Sequence, residues 1–305
     1  MGKNQTKEIK PITTIIPHKQ QINLVSTFKS GNIISISNDK SIIIYNMNLN
    51  IIQKIENAHY NNIYGLSIKD DKNFITCSDD LSIKIWKKRY LNKYDISKFF
   101  VNGIIYNCHT ERIYDVIYYS NENFISCSGD KTIKIWGKKK YKNFQLITII
   151  KSSWKLFSLL LLEDKNILIA SQVNGLNFYD VKIWKNLFSI KETCCGFWNC
   201  LKRIDDDRII LGGINLSIYI ISIKEKTIIK IIKNEFHNWG IFICKKRGIF
   251  FVGEDNNIKI FNINNYKCIK KIENAHDNII YGFCELNDGK ILSYSADKKI
   301  KIWVL

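Results

Sequence analysis

The feature that most limits what this chain can fold into is an internal repeat. Three segments are near copies: Phe74–Trp86 (FITCSDDLSIKIW), Phe124–Trp136 (FISCSGDKTIKIW) and Ile291–Trp303 (ILSYSADKKIKIW). Each follows a histidine, and the histidine lies 21 residues before a turn aspartate in His59–Asp80, His109–Asp130 and His276–Asp297. His18–Asp39 repeats that spacing, with Tyr45 in the tryptophan place. Weaker copies fill the gaps. Val252–Phe261 follows His237, while Ala170–Tyr179 and Gly212–Ile221 keep the apolar alternation but lose the polar residues. The closing positions run Tyr45, Trp86, Trp136, Tyr179, Ile221, Phe261 and Trp303, at intervals of 41, 50, 43, 42, 40 and 42.

A period near that length, built from short alternating strands, predicts a four-stranded propeller blade. Within one unit, residues 113–119, 124–128, 132–136 and 144–150 read as the four strands, and Gly129-Asp130-Lys131 as a turn. The pattern His…Ser/Thr-x-x-x-Asp-x5-Trp resembles the WD40-repeat family over essentially the whole chain, although the literal Trp-Asp dipeptide is absent. The resemblance implies an all-β, seven-bladed propeller. The last unit has no fourth strand of its own, and residues 12–16 (ITTII) are expected to supply it. The expected organisation is one domain, residues 11–305, behind a flexible tail, residues 1–10.

All five histidines read as one repeat position. In the family this histidine joins a buried network with the strand Ser/Thr, the turn Asp and the Trp indole. The resemblance therefore implies structural tetrads His59–Thr76–Asp80–Trp86, His109–Ser126–Asp130–Trp136 and His276–Ser293–Asp297–Trp303, with His18–Ser35–Asp39–Tyr45 as a variant. Blade four shows Ile169, Val173 and Tyr179 in these places, blade five Leu211, Asn215 and Ile221, and blade six His237, Phe251, Asp255 and Phe261. A His–Asp–Ser grouping invites a catalytic-triad reading. A catalytic site occurs once, however, and a packing device recurs in every blade. No phosphate-binding loop, dinucleotide fingerprint or HExxH motif is present. The chain thus reads as non-catalytic, with no cofactor and no metal site.

Nine cysteines, an odd number with no Cys-x-x-Cys pair, read as reduced and mostly structural. The polar first ten residues lack the apolar core of a secretory signal, and no run of eighteen apolar residues occurs. A soluble, cytoplasmic protein is expected, with the nucleus or a membrane surface as alternatives. The net charge of +18 comes almost wholly from lysine, only five of 46 basic residues being Arg, so it counts only where it clusters.

Two surfaces stand out. Tyr64, Tyr114 and Tyr281 begin their blades' first strands five residues after the histidine. Phe157, Trp239 and, one residue out of register, Trp198 extend the set, and Asn23 takes the place in blade one. These rings would surround the channel mouth on the face where WD40 partners dock, or else fill gaps between blades. On the opposite face Lys87, Lys88, Arg89 and Lys93 follow blade two's tryptophan, and Lys138, Lys139, Lys140 and Lys142 follow blade three's. Lys245, Lys246 and Arg247 form a third cluster. The basic face reads as a solvated rim or as a dock for an anionic membrane or RNA. Met1-Gly2-Lys3-Asn4-Gln5-Thr6 fits the N-myristoylation pattern with Gly2 as acceptor, a lipid that would need such a basic patch beside it. Trp86-Lys87-Lys88-Arg89 partly resembles the Trp-Asp-x-Arg signature of cullin ubiquitin-ligase substrate receptors, with Lys87 replacing the Asp. Residues 245–248 faintly resemble the lipid motif of autophagy propellers. The expectation is an adaptor, monomeric within a larger complex, that binds proteins or peptides on its top face.

Overall fold

The computed structural model describes residues 9–90, 97–120, 122–138, 144–191, 193, 200–213 and 215–304. It contains seven four-stranded antiparallel sheets, each running outward from a central channel. Blade one is Ile22–Thr27, Ile33–Ser37, Ile42–Tyr45 and Ile51–Ile55; blade two is Ile63–Asp70, Asn73–Ser78, Ile83–Tyr90 and Ser97–Ile105. Blade three is Ile113–Tyr118, Phe124–Ser128, Thr132–Lys138 and Phe144–Lys151; blade four is Leu156–Leu162, Ile167–Gln172, Gly175–Asp180 and Lys185–Ile190. Blade five is Leu201–Arg203, Arg208–Gly212, Ser217–Ser222 and Thr227–Lys233; blade six is Asn238–Cys244, Ile249–Glu254, Asn257–Asn262 and Cys268–Ile272. Blade seven takes three strands from Ile280–Glu285, Ile291–Ser295 and Ile300–Trp303, and its outer strand is Thr13–Ile15, with Thr14 opposite Lys301.

The innermost strands of neighbouring blades touch all the way round, so the ring is closed. A core lies at each of the seven junctions. Ile34, Ile36, Ile42 and Ile44 of blade one, for example, pack against Ile63, Phe74 and Trp86 of blade two. Because each sheet is covered on both faces, its middle strands are buried along their length, as in Ile33–Ser37 and Phe124–Ser128. That is why these strands read as apolar runs interrupted only by Ser, Thr and Cys.

The tetrads are assembled in blades two, three and seven. Thr76 Oγ1 lies 2.9 Å from Trp86 Nε1 and 2.8 Å from His59 Nε2, and His59 Nδ1 lies 2.9 Å from Asp80. The corresponding distances are 2.9, 2.8 and 2.8 Å around Ser126, and 2.8, 2.7 and 2.8 Å around Ser293. In blade one the Tyr45 hydroxyl is 2.9 Å from Ser35, which is 2.7 Å from His18. An indole N–H can only donate and a carboxylate can only accept. The chain therefore runs one way: indole to hydroxyl, hydroxyl to Nε2, and Nδ1–H to Asp. Neutral histidine with its proton on Nδ1 satisfies every atom. The carboxylate then ties down the loop, accepting Tyr60 N–H at 2.9 Å and Ser82 N–H at 2.9 Å in blade two.

Two further devices recur from blade to blade. Lys84, Lys134 and Lys301, each two residues before its tryptophan, donate to the carbonyl preceding the histidine at 2.7, 2.6 and 2.7 Å. Ser37, Ser78, Ser128 and Ser295 each accept the N–H of the turn aspartate at 3.0 Å.

The degenerate blades require corrections. Strand register aligns Asn238 opposite Glu254 with Ile63 opposite Ser78 and Ile280 opposite Ser295, each isoleucine lying four residues after its histidine. His237 is thus three residues out of place, and it is exposed. The hydroxyl position in blade six is Val252, not Phe251, because Phe261 pairs with Phe250 as Trp86 pairs with Phe74. In blade four it is Ala170, not Ile169, since Tyr179 pairs with Leu168. Blade six replaces the network with an ion pair: buried Glu254 lies 2.8 Å from Lys259 and accepts the N–H of Glu235 at 3.0 Å.

Two outcomes follow. Thr76→Val strips a hydroxyl that serves two buried partners, Trp86 and His59, and should cost about 2–4 kcal/mol in urea unfolding; an unchanged midpoint would mean the network contributes no stability. Burial pushes the His59, His109 and His276 imidazoles below their ordinary value of 6.5. Burial opposes the Asp297 carboxylate, but its hydrogen bonds from His276 and from backbone N–H groups outweigh that and hold it at about 2, against an ordinary 3.8. Both kinds of group bind protons more readily when unfolded, so stability is complete above pH 6.5 and falls on acidification. The first loss begins as the unfolded histidines protonate, and a steeper one follows below pH 3.8 as the carboxylates do. Unfolding free energies that stay flat from pH 8 to 3 would contradict this.

Candidate functional site

On one face, the top, lie the loops that lead into each first strand. Six of those strands carry the same irregularity, a register shift directly after their opening residue. The residues at the shift are Asn23, Tyr64, Tyr114, Phe157, Trp239 and Tyr281. A bulge re-aims a side chain, and here it turns five aromatic rings and one amide toward the neighbouring blades. Tyr64 and Tyr114 have ring centroids 6.1 Å apart, Tyr114 and Phe157 5.0 Å, and Trp239 and Tyr281 5.9 Å. Backbones also come close here: a Cβ on Gly240 would lie 2.6 Å from the backbone of Tyr281 and Gly282, so only glycine fits.

This arrangement buries most of the ring. Tyr64 is 4% exposed, Phe157 9% and Tyr281 8%, so these three serve chiefly as inter-blade packing. Tyr114 and Trp239 remain half-buried, and Trp239 Nε1 donates to Asp255 at 3.1 Å. Asn23 is fully buried and spans blades one and two, donating to the Ile63 carbonyl at 2.6 Å. Trp198 lies outside the described residues.

The exposed aromatic surface of the top face belongs instead to loop residues that the sequence reading passed over. Tyr60 is 78% exposed, Trp154 46% and Phe236 44%. They sit in the loops leading into blades two, four and six, where no strand alternation marks them. Nearer the axis, Arg112 grips Asp79 with Nε at 2.8 Å and Nη2 at 3.1 Å, its guanidinium 4.9 Å from the Tyr64 ring. Lys155 pairs with Glu111 at 2.9 Å.

Below this rim a channel cavity of about 560 Å³ is lined in part by Asp115, Ser158, Lys202 and Glu285. Asp115 accepts the N–H of Leu159 and of Val116, both at 2.8 Å. Its screening from bulk solvent nevertheless lifts the carboxyl to about 6. The tetrad imidazoles of blades one, two, three and seven lie outside this channel and are at most 4% exposed, so none can reach a substrate.

The opposite face is less uniformly basic than the sequence suggests. Lys87, Lys88 and Arg89 continue blade two's third strand, opposite Phe100, Phe99 and Lys98, and do not form a loop. Alternation sends their side chains to opposite faces of the sheet. Lys138 is paired with Glu122 at 3.2 Å, and Arg247 donates to the Gly289 carbonyl. The same face carries Asp205, Asp206 and Asp207, of which Asp206 binds Arg203 at 2.8 Å. Lys93, Lys139, Lys140, Lys142 and Gly2 lie outside the described residues. Among those described, no group of His, Cys, Asp and Glu is arranged to hold a metal ion, and no helix is long and apolar enough to cross a membrane.

Comparison with known proteins agrees with this geometry. The family described as WD domain, G-beta repeat matches residues 51–87, 102–137 and 266–304. Each match takes in the fourth strand of one blade and three strands of the next, and each contains one tryptophan-bearing tetrad. Lissencephaly-1 homolog 1 of Paramecium tetraurelia is 37% identical over 70 residues, which is 23% of this chain and 16% of that protein. The likeness thus spans only a small part of its length. With three matching repeats, their tetrads in place and seven blades closed into a ring, the chain carries WD40 repeats within a seven-bladed β-propeller.

Proposed function

We propose that this propeller is a non-catalytic adaptor that binds a protein or peptide on its top face. The observation that carries the reading is the exposure of Tyr60, Trp154 and Phe236 in three separate loops around the channel mouth. Aromatic rings held on a rigid frame give large contact area for little lost freedom, and they dominate binding energy where they cluster. Tyr114, Trp239 and the Arg112–Asp79 pair lie on the same face and supply polar contacts. A cytoplasmic location and assembly as a single propeller within a larger complex accompany the reading. Docking of the basic face on a membrane or RNA, with or without a lipid on Gly2, has less support, because Glu122 and Asp205–Asp207 offset the lysines of that face.

Quantitative pull-down from native cells tests the proposal, comparing wild type with Tyr60→Ala/Trp154→Ala/Phe236→Ala and with Lys87→Glu/Arg89→Glu. The aromatic variant should retain its melting temperature and lose its specific partners by about tenfold or more, which is about 1.4 kcal/mol of binding. The charge-reversed variant should keep them. The opposite pattern would move the binding site to the basic face.

A further inference from the structure

The rims of blades four and five carry a second surface that the top face does not explain. In each blade the fourth strand is outermost, so Lys185–Ile190 and Thr227–Lys233 each present one row of backbone N–H and C=O groups with no ladder partner among the described residues. Between them runs a groove of about 540 Å³, lined by Ser189, Ile190, Lys191 and residues 226–231. Three ammonium groups border it, those of Lys191, Lys226 and Lys230, and among the described residues the lining holds no carboxylate. None of the three is ion-paired among the described residues. Elsewhere on the rim, by contrast, Lys54 pairs with Glu56 at 2.9 Å and Lys271 with Glu273 at 3.1 Å. Ile229 and Ile231 flank Lys230 along the strand and are 41% and 49% exposed.

Lysines on an edge strand ordinarily stop copies of one protein from pairing edge to edge. The same charges admit a strand of opposite sign. The groove is concave, which suits an extended chain better than a bilayer surface. Among the described residues its aromatic neighbour is Phe188, half-buried with its ring 5.3 Å from the Lys226 ammonium, a position already taken by a cation and poorly placed to stack a base. We propose that this groove docks an extended segment of a partner protein, acidic and apolar in alternation, laid along Thr227–Lys233 as an added strand. Main-chain hydrogen bonds would hold it, Ile229 and Ile231 would meet its apolar side chains, and the lysines would select its carboxylates. Blades four and five are also two of the three blades that lack the tetrad, and the two without the Glu254–Lys259 ion pair that takes its place in blade six.

The test uses fluorescence anisotropy with a labelled synthetic peptide of alternating Glu and Val as the probe. Wild type should bind it saturably, and the solvent-exposed double variant Lys226→Glu/Lys230→Glu should bind at least about tenfold more weakly. N-methylation of alternate backbone amides should abolish binding, and a Lys-for-Glu peptide should not bind. Tyr60→Ala/Trp154→Ala/Phe236→Ala should bind as wild type does, which separates this surface from the top face. The proposal is overturned if the peptide shows no saturable binding, if the double variant or the N-methylated peptide binds unchanged, or if phosphatidylserine vesicles bind the groove and the peptide does not.

Discussion

Every part of this structure depends on the fact that no blade can cover its own faces. Each sheet is apolar on both sides, and each of the seven cores is shared between two neighbours. A blade with one neighbour missing would expose a full sheet face to water, so only a closed ring removes the apolar area. The tetrads serve this arrangement and do not drive it. They fix how the loop, the second strand and the third strand of one blade meet.

The division of labour among the blades follows. Blades one, two, three and seven share one hydrogen-bonded plan. Blade six reaches the same end with Glu254 and Lys259, a carboxylate in a serine position and a lysine in its repeated place, and the carboxylate still accepts a loop N–H. Blades four and five rely on apolar packing, as with Leu211 and Ile221, both fully buried. A buried polar network is costly unless it is complete, and the tetrad blades come closest to that condition, whereas blade six leaves the Asn238 amide nitrogen without a hydrogen bond among the described residues.

Much of this was legible in the sequence. The tetrads were readable because four polar residues at fixed spacings mark register, and the number of blades followed from the positions of their closing residues. Legibility failed where those markers vanish. In Ile249–Glu254 and Ile167–Gln172 nearly every residue is apolar or small, so a slip of one residue costs nothing in pattern, and Phe251 and Ile169 were placed one position early. His237 shows the same effect: without a hydroxyl and a tryptophan to fix its register, a histidine near the right distance mimics the repeat. The aromatic residues of the top face show a different limit. Their alignment was readable, but the bulge that folds Tyr64, Phe157 and Tyr281 into the junctions is a backbone event with no residue signature. Tyr60, Trp154 and Phe236 were invisible because loops of unequal length carry no period.

The seam in blade seven has a mechanical consequence. At every other junction the covalent chain crosses from blade to blade, so pulling two neighbours apart must stretch a peptide linker. Between blades seven and one the linker passes through Thr13–Ile15, and only a three-residue ladder to Ile300–Trp303 converts it into a clasp. Thermal fluctuation will release that clasp first, because its ladder is the shortest of the described outer strands, three paired residues against four or more elsewhere. The circle therefore has a built-in hinge line, and a force applied around its circumference is relieved at one known place.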